Sequence, residues 1–274
     1  MIANALSVAG SDPSGGAGVQ ADLKTFAANG VYGMAAITAL TAQNTRGVTG
    51  VHLVPPEVVA AQIAAVRADV PVHGVKIGMI ATAEIAGAVA GALAGIGAPV
   101  VLDPVMVAKG GDRLLAEAAV AALVARLLPL ATVLTPNLPE AEALLAAAGR
   151  GARIASRADM PEAARALRAL GPRAVLLKGG HLGGAESPDL LLWEGGELWL
   201  EGRRVETRNT HGTGCTLSSA LAARLARGEP TPEAARGAKT YVAGAIAAAD
   251  RLDAGGGHGP LHHFHALWGE ASVP

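Results

Sequence analysis

The sequence has a single cysteine, Cys215. No internal disulfide can staple the chain, and a reducing, cytoplasmic setting is the natural expectation. Aromatic residues are scarce, at 3% of 274 residues, although 51% are hydrophobic. Ala, Val and Leu must therefore fill the core, and a chain of this length can bury most of its apolar surface with them. Neither sign of charge is in excess, and the formal net charge is -1. That leaves no basic field to gather nucleic acid or an anionic membrane. None of the five lysines follows a glycine, so a Gly-Lys-Ser/Thr phosphate loop cannot be built. Long apolar runs are missing too, with one decoy. Ile85 to Leu102 is uncharged for 18 residues, with Gly87, Gly91 and Gly95 at the spacing of a membrane dimer face. Ala and Gly dominate it and Pro99 interrupts it, so it reads as a surface helix, a turn and a buried strand. Met1 to Ala5 shows no positively charged leader and reads straight into a strand.

What is present is alternation. Short apolar runs at Ala5–Val8, Ala35–Leu40, Val75–Ile77, Val100–Leu102, Val133–Leu134 and Val175–Leu177 predict buried strands. Helical stretches near 18–29, 56–67, 82–94, 116–128, 138–147 and 160–170 lie between them. Strands alternating with helices predict an α/β fold, a mainly parallel sheet covered on both faces. Residues 190–208 read differently, as a hairpin over Leu190–Leu200 and a further strand at Val205–Arg208. Two Ala-rich helices near 214–227 and 231–252 follow. No linker and no repeat divides the chain, so residues 1–274 form one domain.

Ligands of such sheets sit beyond the carboxyl ends of the strands. Residues just after each strand are therefore the ones to read for chemistry. Asn209-Thr210-His211-Gly212-Thr213-Gly214-Cys215 links a strand to a helix. Unpaired N–H groups and the helix dipole make such a start attractive to an oxyanion, and glycine permits close approach. By itself the run is equally a glycine turn with a threonine cap. Cys215, on the first turn, should have its thiol pKa lowered there, which makes a general base of it; a core-packing cysteine is the plainer reading. Asp103 directly follows a strand and suits Mg²⁺ through water, or a base role. Asn137 and Glu140 have capping-box spacing, and equally suit hydrated Mg²⁺ beside a nucleotide. Lys178 ends a strand, where it can meet a phosphate as a point charge. Asp12 and Asp22 are candidates for a hydroxyl contact, with helix capping the alternative for Asp12. Gly16-x-Gly18-x-x-Ala21 imitates a dinucleotide fingerprint. Its glycines come too late after the strand, and Thr41 stands near where a ribose-binding acid is needed. His262-His263-Phe264-His265 lacks a second ligand cluster, which argues against zinc.

Taken together, several segments closely resemble the hydroxymethylpyrimidine and phosphomethylpyrimidine kinases of thiamine biosynthesis. They are Ala9 to Thr25, Thr38 to Thr45, Val75 to Met79, Leu134 to Ala141, Leu177 to His181, Asn209 to Thr216 and Gly259 to His265. The resemblance spans the chain. It implies the ribokinase-like three-layer α/β/α fold, ATP and Mg²⁺ as cosubstrates, and a homodimer. It also implies phosphorylation of 4-amino-5-hydroxymethyl-2-methylpyrimidine and then of its monophosphate. Carried over, Gln43 would bond the aminopyrimidine, Gly10, Met79 and Val105 would lie against the ring, and Asp22 would lie near the reacting hydroxyl. Gly212, Thr213 and Gly214 would form the oxyanion site, and Cys215 would occupy the place of the base. Lys178, Thr213 and Asn137 would face ATP, with Asp103 and Glu140 at Mg²⁺. Val105–Asp112 departs from the family's pattern, and its glycine pair, Gly110-Gly111, makes it a flap over the pocket. The rivals are a pyridoxal kinase, from the same superfamily, and a pyrimidine-binding module without catalysis.

Overall fold

A computed structural model of the protein describes residues 1–106 and 117–269. In chain order its strands are β1 (Asn4–Ala9), β2 (Tyr32–Ile37), β3 (Ala39–Asn44), β4 (Gly47–Leu53), β5 (Gly74–Ile77), β6 (Val100–Leu102), β7 (Val133–Leu134), β8 (Ala174–Lys178), β9 (Asp189–Trp193) and β10 (Gly196–Leu200). The helices are α1 (Gly18–Ala28), α2 (Pro56–Asp69), α3 (Ala83–Leu93), α4 (Glu117–Ala122), α5 (Leu138–Ala147), α6 (Met160–Arg168), α7 (Thr213–Ala226) and α8 (Thr231–Ala247). Eight strands make one sheet in the order β10-β9-β8-β7-β6-β5-β1-β2. From β2 to β8 neighbours run parallel, while β9 and then β10 reverse direction.

The apolar strands are continuous in sequence but divided in space, because successive side chains leave opposite faces of a pleated sheet. Leu6, Val8, Val75, Ile77, Val100, Leu102 and Leu134 point into one core with α2 to α6. Ala5, Val101, Val133, Ala174 and Leu176 point into another, with α1, α7 and α8. Two residues break that pattern. Ser7 and Lys76 are register partners on β1 and β5. Both are fully buried on the face that α1 and α7 cover, and both are polar.

Three expected boundaries change. The single strand over Ala35–Leu40 is two strands. After Ile37 the chain leaves the sheet; Thr38 Oγ1 donates to the Met79 carbonyl at 2.7 Å, and β3 pairs with β4 in a separate hairpin. Val205–Arg208 is not a strand: among the described residues no strand pairs with it, and Val205 is exposed. The helix at 116–128 is α4 followed by a π turn at Leu123–Leu127 and a 3₁₀ turn at Leu128–Leu130. The uncharged run at 85–102 is most of α3, a turn at Gly95 (φ 69°) and β6. Among the described residues no helix is long and apolar enough to cross a membrane.

Candidate active site

The carboxyl ends of the central strands open into a cavity of about 1480 Å³. It runs along the sheet edge, from loops after β1 and β5 to the hairpin side at β9 and β10. The sequence-predicted residues Gly10, Gln43, Met79, Asp103, Val105 and Asn137 line it, as do Glu140, Lys178 and the run Gly212–Cys215. Asp22 alone does not. Val105 stands at the start of the expected flap, of which 107–112 lie outside the described residues.

The first turn of α7 occupies the middle. Gly212 precedes it in a left-handed conformation, φ 78°, which disfavours any residue with a Cβ. A Cβ there would also run into the Gly16 carbonyl. At Gly214 a Cβ would sit 3.3 Å from Lys178 Nζ and 3.4 Å from Asp103 Oδ2. The opening N–H groups of a helix lack acceptors within it, so this turn and the Lys178 ammonium converge on one space suited to an oxyanion.

Lys178 Nζ donates to Asp103 Oδ1 at 2.9 Å and lies 3.9 Å from Glu140 Oε2. Burial opposes its charge, yet Asp103 and Glu140 prevail and hold its pKa above the ordinary lysine value. Glu140 is pushed up to about 7, chiefly by burial; Lys178 opposes this and the Asp103 charge adds to it. The capping box is also real. Asn137 N donates to Glu140 Oε2 at 2.8 Å, and Glu140 N donates to Asn137 Oδ1 at 2.9 Å. The cap is what aims Glu140 at the cavity. Two hard carboxylates on either side of Lys178 fit a hydrated Mg²⁺, which takes one or two such ligands and keeps its waters. No group of three His, Cys, Asp or Glu able to hold a metal alone occurs among the described residues.

Beneath the turn lies a second cluster that the sequence reading missed. Lys76 Nζ meets both Asp22 oxygens at 2.9 Å. Ser7 Oγ and Ser219 Oγ donate to the same carboxylate at 2.6 and 2.7 Å. Asp22 is thus a sealed counter-ion and does not reach a substrate hydroxyl. It is buried because α1 packs on the Ser7–Lys76 face of the sheet, where a charged lysine requires a partner. The expectation for Cys215 also reverses. Its thiol is pushed up to about 11, first by burial; Lys76 opposes this, Asp22 and Asp103 add to it, and the Gly18 N–H opposes it. Desolvation outweighs the Lys76 charge and the Gly18 N–H. Lys76 had a signal in sequence: a lysine between Val75 and Ile77 in a buried strand.

At the β1 and β5 end, Gln43 stands at a bulge in β3, where the register shifts between Ala42 and Gln43. A bulge re-aims a side chain. His211 Nε2 lies 2.7 Å from Asp12 Oδ2. This pair was also missed, His211 being hidden inside the glycine run. At the other end Lys239 Nζ donates to Asp189 Oδ2 at 2.7 Å, and both line the cavity.

A mostly parallel sheet between two helical layers, with a glycine-flanked helix start facing a cavity beyond its carboxyl edge, is the architecture of the ribokinase-like small-molecule kinases. The phosphomethylpyrimidine kinase family model matches residues 12–262. The hydroxymethylpyrimidine/phosphomethylpyrimidine kinase of Rhizobium meliloti is 54% identical over 98% of this chain and 99% of its own. The thiamine biosynthesis bifunctional protein of Geobacter sulfurreducens is 52% identical over 95% of this chain, which covers 52% of that protein. The Bacillus subtilis pyridoxal kinase, solved as an ADP complex, superposes with a TM-score of 0.88 at 36% identity, covering 97% of this chain and 99% of that one. The chain belongs to the phosphomethylpyrimidine kinase family. It is a phosphotransferase of the hydroxymethylpyrimidine/phosphomethylpyrimidine kinase type, which sets aside the non-catalytic binding module.

Proposed function

We propose that the protein moves the γ-phosphoryl group of ATP to the hydroxymethyl group of 4-amino-5-hydroxymethyl-2-methylpyrimidine, and then to the resulting monophosphate, within thiamine biosynthesis. The carrying observation is one cavity that joins a polar ring-binding end at Gln43 to the anion site at Lys178 and the start of α7. The ring lies against Gly10, Met79 and Val105, with Gln43 on its polar edge. An amide offers both a donor and an acceptor to an aminopyrimidine. The ATP phosphates lie against Lys178, Thr213 and Asn137. Asp103 and Glu140 hold Mg²⁺, which when bound neutralises charge on those phosphates. The N–H groups at Gly212, Thr213 and Gly214 receive the transferring phosphoryl oxygens. Phosphoryl transfer depends mostly on positioning and charge stabilisation, so this cradle is the principal device. Cys215 takes the hydroxyl proton in the small fraction of molecules whose sulfur has lost its own. We further propose a cytoplasmic homodimer. The exposed Leu40, Val51 and Leu53 of the β3–β4 hairpin offer an apolar surface for the second copy.

A pyridoxal kinase is the second reading, favoured by the close structural match to one such enzyme. The higher identity to the pyrimidine kinase, 54% against 36%, supports the first. A coupled ADP-release assay over the pyrimidine alcohol, its monophosphate and pyridoxal tests it. The expected order puts both pyrimidines ahead of pyridoxal; a clear preference for pyridoxal overturns the proposal.

A further inference from the structure

Gly212 caps α7 without a side chain, so no hydroxyl or carboxylate of its own covers the first N–H groups. That leaves them open to a phosphoryl oxygen. It also leaves the turn without the usual side-chain cap to fix it. The turn is held from behind instead. The Gly212 carbonyl accepts two hydrogen bonds from Thr216, one from N at 2.8 Å and one from Oγ1 at 2.9 Å. A peptide unit is planar, and its carbonyl and N–H point in opposite directions. Fixing the Gly212 carbonyl toward the helix therefore fixes the Thr213 N–H toward the cavity, which Thr213 lines. That N–H makes only a long contact of 3.4 Å with the Thr210 carbonyl, which already accepts from Thr213 Oγ1 at 2.8 Å.

Behind Thr216 stands His263, from the His262–His265 run. Thr216 is fully buried and His263 is buried, and neither lines the cavity. The segment that carries His263 is anchored on α8. Leu261 is fully buried, His262 N donates to the Ala245 carbonyl at 3.1 Å, and the Tyr241 hydroxyl donates to the His263 carbonyl at 2.7 Å. His263 Nε2 lies 3.1 Å from Thr216 Oγ1. Burial, with the Lys24 charge adding to it, pushes the imidazole pKa down to about 3. The ring is therefore neutral and has one N–H. Thr216 has one hydroxyl proton. If that proton goes to His263, the Gly212 carbonyl loses its second bond. Only a proton on Nε2 lets both contacts be hydrogen bonds, with His263 donating to Thr216 and Thr216 donating to Gly212.

We propose that His263 is a positioning residue for phosphoryl transfer. Its Nε2–H fixes the Thr216 hydroxyl on the Gly212 carbonyl and so keeps the Thr213 N–H aimed at the transferring group. It acts only through Thr216. This rests on the reading of Gly212–Gly214 as the anion site.

Imidazole ¹⁵N shifts of the unmutated enzyme, assigned to His263 by their loss in His263→Gln, provide the first test. A proton on Nε2 is expected, and a bare Nε2 overturns the proposal. The second test is a kinetic cycle of His263→Leu and Thr216→Val. His263→Leu should lower kcat for the pyrimidine alcohol about tenfold, less than the roughly 10²–10³-fold that follows loss of an oxyanion donor itself. KM for the alcohol and for ATP should stay within about twofold, the mark of an interaction made mainly in the transition state. His263→Gln, which returns an N–H near the Nε2 position, should recover most of the loss. In the Thr216→Val background His263→Leu should add less than about twofold. Losses that multiply, or a fall in kcat matched by a rise in both KM values, would assign His263 to packing alone and overturn the proposal. If His263→Leu does not fold, His263→Asn, whose N–H falls near the Nδ1 position and misses Thr216, takes its place in the cycle. An unchanged kcat in both variants, with Nε2 protonated, overturns the anion-site reading and the proposal together; a bare Nε2 or multiplying losses overturn the proposal by itself. Should pyridoxal prove the better substrate, the pyrimidine reading fails at that point, and the same cycle run with pyridoxal decides the role of His263.

Discussion

The molecule contains two lysine–carboxylate clusters on either side of the first turn of α7, and they differ mainly in access. Lys76 and Asp22 are both 0% exposed, and two serines complete the carboxylate's shell. Lys178 is 14% exposed, and its two carboxylate partners, Asp103 and Glu140, face the cavity with it. Lys76 borders the cavity but is fully buried and already paired with Asp22. The open cluster has two carboxylates for one ammonium, and burial, with the Asp103 charge adding to it, raises the pKa of Glu140. A buried ion pair holds shape, whereas a lysine at a cavity wall can exchange its partners for phosphate. Similar residue types are thereby set in surroundings of different solvent access.

The largest expected effect would break the sealed pair. Asp22→Ala should cost about 3–5 kcal/mol in urea unfolding, because it strands a buried ammonium. Adding Lys76→Met should return a large part of that. A single variant as stable as the parent would mean that Lys76 finds another partner, and the division drawn above would fail. Lys178→Met should lower turnover on the order of 10²–10³-fold, with a smaller stability loss than Asp22→Ala, because Lys178 stands at the cavity wall and is 14% exposed although Asp103 is buried. Equal damage to stability would erase the contrast between the clusters. Between the two lies Cys215. Cys215→Ser should lower turnover by about 10²-fold if the sulfur takes the hydroxyl proton; near-normal turnover would leave the N–H cradle as the whole device. The smallest effect concerns the same thiol at rest. With its pKa near 11, alkylation of this sole cysteine should keep accelerating about tenfold per pH unit from about pH 7 to about pH 10. A rate that levels off below about pH 9 would show that Lys76 and the helix dipole outweigh burial after all.

Much of this was legible in the chain. Buried parallel strands announce themselves as short apolar runs, and their last residues mark the ligand edge; that alone pointed to Asp103, Lys178, Asn137 and the Gly212–Cys215 turn. Misreadings have physical causes. β3 and β4 are half-exposed strands with polar residues in β3 and glycines in β4, so no buried apolar run marks them. Asp22 looked available because burial by a facing helix cannot be read from its own segment. Cys215 was given an activated thiol from its place on a helix start, a local argument that desolvation overrode.

The amino-acid sequence by itself determined the layer architecture, the absence of a disulfide framework and of a Gly-Lys phosphate loop, and the family, because periodicity, composition and motif spacing are local properties. Only the tertiary structure decided which charges are sealed and which face a ligand. It alone brought Asp12 to His211 and Lys76 to Asp22, 199 and 54 residues apart. Ionisation and hydrogen bonding depend on the distance and dielectric between groups, and both are set by folding rather than by order along the chain.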